Sequence, residues 1–103
     1  MIMTINVGKL VEFWRGNAEE DIQIARENFA NRRYSFAMFL AHLALEKALK
    51  ALVINETKAI PPRIHNLTSL AEKAKLSLDQ ETLTFLSAMD HYHMAGSLNR
   101  AVR

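Results

Sequence analysis

The run Tyr34-Ser-Phe36-Ala-Met-Phe39-Leu-Ala-His42-Leu-Ala-Leu-Glu46-Lys47-Ala-Leu-Lys50-Ala51-Leu-Val-Ile54-Asn55 decides the fold. It is apolar almost all the way round, as a helix packed on most of its sides must be. Ala51-Leu-Val-Ile54 alone has the composition of a buried strand, but its continuity with the preceding turns makes it helix. His42, Glu46 and Lys50 stand four residues apart, so their side chains stack along one narrow strip of an otherwise apolar cylinder. Two readings of that strip are open. It is the solvated edge of the helix, with Glu46 and Lys50 forming an i,i+4 pair worth about 0.2 to 0.5 kcal/mol. Alternatively it lines a cleft or a dimer seam, where lysine and histidine meet a phosphate and the carboxylate orients them.

Working outward, a helix from about Leu10 to Phe29 is predicted by Leu10, Phe13, Trp14, Ala18, Ile22, Ala25 and Phe29, which recur at spacings of three and four. Asn31-Arg32-Arg33 breaks the pattern before the central run. On the other side Pro61-Pro62 ends it, since paired prolines cannot continue a helix. A short third helix follows, with Asn66 or Thr68 as its N-cap and Leu67, Leu70, Ala71 and Ala74 on its apolar side. Ser77 and Gln80 have capping-box spacing before a fourth helix containing Leu83, Leu86, Met89 and His93, whose end Gly96 loosens. Short connections favour an all-α, antiparallel up-and-down four-helix bundle. At 103 residues the chain is expected to be one domain spanning residues 1–103.

Composition narrows the function classes. Without cysteine, disulfides, thiolate metal sites and thiol catalysis are excluded, and a reducing cytoplasm is the default. The N-terminus lacks signal-peptide features, and charged residues interrupt every apolar run, so no membrane span is expected. A net charge of +2 is compatible with a phosphate-bearing partner without establishing one. The Met- and Phe-rich surface gives so small a bundle reason to dimerise.

The segment from Tyr34 to Leu52 resembles the signature helix of the HEPN domain family. Downstream, Pro61-Pro-Arg-Ile-His65-Asn66-Leu67 resembles that family's proline turn and its His-Asn-Leu entry into a third helix, and the Trp14 and Asp21 spacing resembles its opening helix. The resemblance covers about residues 10–95. It implies a helical bundle, commonly a homodimer, tied to nucleotides or RNA and often encoded with a minimal nucleotidyltransferase partner, in toxin–antitoxin-type settings. It also implies that some relatives are metal-independent RNase toxins, using an arginine followed four to six residues later by a histidine.

No arginine here has a histidine at that spacing: Arg33 precedes His42 by nine, and Arg63 precedes His65 by two. The family's Arg-Tyr-Pro is replaced by Ala95-Gly96-Ser97-Leu98-Asn99-Arg100, and the chain stops where relatives often continue into another helical segment. Catalytic residues, cofactors and metals are therefore assigned as none. Asp90-His91-Tyr92-His93 suits a metal poorly, because His91 and His93 point about 200 degrees apart on a helix; Asp90 with His93, or His42 with Glu46, is the better-placed pair. Arg32-Arg33 with Tyr34, and Arg100 with Arg103, are small basic clusters that act as a nucleic-acid footprint only if they share a face.

The expectation is a non-enzymatic HEPN-type module that dimerises and binds a nucleotide, RNA or a nucleotidyltransferase partner through the strip on the central helix and the neighbouring His65 turn. The binding candidates are His42, Glu46, Lys50, His65, Asn66, Arg33, Asp90, His93 and Arg100. The rivals are an RNase toxin pairing Arg100 with His93 across a dimer, and an interaction-only bundle whose strip faces water.

Overall fold

In the computed structural model, residues 5–102 are described, with side chains through Tyr92. Four helices and no strand occur among them: α1 (Val7–Ala30), α2 (Tyr34–Thr57), α3 (Leu67–Lys73) and α4 (Gln80–Val102). No described helix is long and apolar enough to cross a membrane.

The central run is one unbroken helix, so the strand-like Ala51–Ile54 segment is helical, with Val53 and Ile54 fully buried. Two packing faces explain its near-uniform apolarity. Leu49 and Val53, with Met38, Ala41 and Leu45 beside them, join Leu67, Leu70, Ala71, Ala74, Leu86 and Met89 in one core cluster. The face turned away from that cluster carries Ala37, Ala44 and Ala51, buried and spaced by seven. On α1 the buried residues are Ala18 and Ala25, again seven apart. Small side chains on both helices let their backbones approach closely, and the Asp21–Lys47 ion pair at 2.7 Å ties them together across the hairpin.

That close approach corrects one expectation. Phe13 and Phe29, read as inward-facing, are 60% and 61% exposed. The alanine seam leaves no room for rings, so the larger side chains are pushed to its flanks.

Three helices end on a left-handed residue that is basic instead of glycine: Arg32 (φ 63°) after α1, Lys58 (φ 57°) after α2 and Lys75 (φ 57°) after α3. After α1, Arg33 N–H donates to Asn28 C=O at 2.9 Å and Arg32 N–H to Phe29 C=O at 3.0 Å. After α3, Leu76 and Lys75 repeat the pattern on Ala71 and Glu72. These are Schellman closures, which satisfy the last carbonyls of a helix.

At the starts, Asn6 accepts the Lys9 N–H and Asn66 accepts the Ser69 N–H. Asn66, not Thr68, is thus the N-cap of α3. The Ser77 capping box does not form either. Asp79 accepts the Thr82 N–H at 2.8 Å and α4 begins one residue later, because a carboxylate at that position completes the cap by itself. Gly96 lies inside α4, which runs on to Val102.

Helix α2 packs against each of the other three, whereas α1 and α4 make no approach to one another among the described residues. The molecule is an α1–α2 hairpin with an α3–α4 arm laid against the other face of α2.

Candidate functional site

The strip on α2 is not a solvated edge. His42, Glu46 and Lys50 are 1%, 6% and 6% exposed, so that reading is overturned. At about 100 degrees per residue, the strip falls in a seam between the α1-facing and the α3/α4-facing sides of α2. The edge open to solvent carries Leu52 and Asn55 instead. Buried charges persist only when paired, and each member of the strip has its partner.

Lys50 Nζ lies 3.1 Å from Glu46 Oε2 and 5.3 Å from the centre of the Trp14 ring. The same Glu46 oxygen lies 3.0 Å from Nδ1 of His65, in the segment leading into α3. Indole, ammonium, carboxylate and imidazole thus form a ladder from α1 to the α2–α3 connection. Its inner members are buried, while the His65 side chain is 70% exposed. With Nδ1 held by Glu46, the imidazole is fixed in orientation and its Nε2 lies on the other side of the ring.

A second ladder starts one turn earlier. His42 Nε2 is 3.2 Å from Asp90 Oδ1 on α4. That carboxylate also accepts the Leu67 N–H, at 2.9 and 3.1 Å to its two oxygens, and the Thr68 N–H at 3.4 Å. Asn66 takes the Ser69 N–H, so one side chain on the helix and one from α4 satisfy the first turn of α3. Asp90 therefore pairs with His42, while the side chain of His93, the other half of the expected metal-binding couple, lies outside the described residues.

Six of the nine candidates, His42, Glu46, Lys50, His65, Asn66 and Asp90, are brought into these two ladders. Arg33 is not among them; it lies exposed where α2 begins, about 20 Å along the helix axis from Glu46. The His93 and Arg100 side chains lie outside the described residues. Sequence reasoning missed Trp14 as a partner of Lys50, and it missed the Asp21–Lys47 pair. Asp21 had a readable signal: it sits three after Ala18 and four before Ala25, inside the apolar face of α1.

Chemically, the arrangement presents a carboxylate-held imidazole at the surface of a rigid polar scaffold, suited to hydrogen bonding with a phosphate or a base edge. No curated protein and no solved structure matches the chain significantly. The family model for the HEPN domain matches residues 11–97, from the first turns of α1 into α4. With most of its length covered by that match and its signature helix at the centre of the bundle, the chain belongs to the HEPN domain family.

Proposed function

We propose that this chain is a non-enzymatic HEPN-type module that self-associates and binds a nucleotide or the phosphate of an RNA through the surface around His65. The observation that carries the reading is the exposed imidazole held through Nδ1 by the buried Glu46. Positioned groups on rigid supports are how binding sites gain affinity, and at 70% exposure the His65 side chain contributes little to the packed interior. Arg63, exposed two residues earlier, adds positive charge to the same segment. Self-association is supported by the exposed apolar side chains Phe13, Leu52 and Phe85, which a second copy would cover.

Calorimetric titration with mono- and triphosphate nucleosides and with a short RNA tests the reading. Wild-type protein is expected to bind at least one of them, and His65→Ala to lose that binding while remaining folded, since Lys50 still pairs with Glu46. Equal binding by both proteins, or by neither, sinks the proposal for this surface. Light scattering during gel filtration reads the oligomeric state. The family's frequent pairing with a minimal nucleotidyltransferase makes co-purification of such an enzyme from the native cells the test for a protein partner.

A further inference from the structure

Where α1 turns into α2, a second polar surface lies well away from His65. Arg32 and Arg33 are exposed and form no ion pair among the described residues. Around them Phe29, Tyr34 and Phe36 are 61%, 52% and 46% exposed, a high value for aromatic rings in so small a protein. The rings are held by one another. Phe29 meets Tyr34 edge to face at 5.1 Å, and Phe36 lies nearly parallel to Phe39 at 6.5 Å. Arg32, Arg33, Tyr34, Ser35 and Phe36 line an open groove of about 570 Å³. The turn itself is fixed by the two hydrogen bonds that close α1, so the guanidinium groups start from a defined backbone even though Arg32 occupies a left-handed position that disfavours it.

We propose that this groove binds single-stranded nucleic acid, with bases stacked on Tyr34 and Phe36 and backbone phosphates paired with Arg32 and Arg33. Exposed rings beside unpaired cations are what a single strand requires, because every base offers a π-face and every linkage a negative charge. A duplex hides its bases from the rings. A planar anionic bilayer meets only two cations in a concave groove, with exposed Glu27 nearby on the last turn of α1. The site is separate from the His65 surface and does not rest on it.

The test is fluorescence anisotropy of the full chain with a labelled single-stranded RNA of mixed sequence, about twelve nucleotides long. The same strand as a duplex, and vesicles containing phosphatidylserine, serve as competitors. The double variant R32Q/R33Q is expected to weaken strand binding about tenfold or more and to reduce the slope of log affinity against log salt by about 1.4, the value for two single-strand phosphates. Tyr34→Leu is expected to weaken binding about tenfold with the slope unchanged, and Tyr34→Phe to bind like wild type. The Phe variant keeps the ring, so it separates lost stacking from a disturbed turn if the Leu variant melts early. His65→Ala should leave strand binding intact, which separates this site from the nucleotide surface. Unchanged affinity in R32Q/R33Q overturns the proposal. So does equal binding by Tyr34→Leu and wild type, or competition by vesicles or duplex that matches the unlabelled strand.

Discussion

One oxygen of the Asp90 carboxylate accepts the Leu67 N–H that opens α3 at 2.9 Å and also meets Nε2 of His42 on α2 at 3.2 Å. A single carboxylate on α4 therefore joins three helices. Its side chain is 13% exposed and that of His42 is 2% exposed, so its removal leaves polar groups that water reaches poorly. Asp90→Ala is expected to lower stability by about 2 to 3 kcal/mol, the range for losing hydrogen bonds to a charged group. Asp90→Asn, which keeps one acceptor, should cost less. Urea unfolding followed by circular dichroism measures both, and an Ala variant as stable as wild type would show that α3 is held by its apolar side alone.

The Glu46–Lys50 pair is buried on both sides, and removing one partner strands the other. Glu46→Ala is expected to destabilise by about 3 to 5 kcal/mol. Replacing both, as in Glu46→Met with Lys50→Leu, should recover most of that loss, since well-packed apolar side chains of similar volume often substitute for a buried ion pair. The double variant would still lose the support of His65, so its nucleotide binding should fall while its fold survives. Comparing the single and double variants in one denaturation series checks the stability half of this prediction.

Left-handed backbone costs a side-chain-bearing residue about 1 to 2 kcal/mol, while glycine brings an entropic loss of about 0.5 to 1 kcal/mol. Lys58→Gly and Lys75→Gly should therefore each raise stability by about 0.5 to 1 kcal/mol. Lys75 also lies 3.5 Å from Glu56, but both side chains are largely exposed and that pair contributes little. The reverse exchange applies inside α1. A Cβ at Gly16 meets nothing within 4 Å, so Gly16→Ala should add about 0.5 to 1 kcal/mol. Thermal melts of the three single variants would each show a higher midpoint.

Acid sensitivity should trace partly to Asp79. The Thr82 hydroxyl and then the Thr82 backbone N–H hold its carboxyl below the usual aspartate value of 3.8. A carboxyl whose folded pKa is depressed leaves the unfolded chain with more bound protons in acid. Its stabilising effect is complete above the unfolded value and fades as pH falls through the folded one. Melting midpoints of wild type and Asp79→Asn should converge as pH drops below about 4, and midpoints that stay parallel would place the acid response elsewhere.

Much of this architecture is legible in the sequence because local periodicity and turn chemistry govern it. The helices, the proline break and the Asn66 cap follow from neighbours within a few residues. The strip was visible too, as His42, Glu46 and Lys50 at intervals of four, but its burial was not. Whether a polar stripe faces water depends on what packs beside it, and its partners come from far along the chain: Trp14 from α1, His65 from the α2–α3 connection and Asp90 from α4. Helical spacing of three made His93 the natural companion for Asp90, whereas the fold supplies His42, 48 positions away. The reading of Phe13 and Phe29 failed for a related reason. Periodicity identifies an apolar face but not its tightest line, and in α1 that line belongs to alanine.

Among the described residues α1 and α4 do not meet, and the two halves share only α2. An opening that releases the α3–α4 arm breaks the Asp90 and His65 links and exposes Leu49 and Val53, yet leaves the alanine seam of the hairpin intact. Amide exchange should accordingly divide the chain into two units, with the backbone of α3 trading its protons sooner than the middle of α1.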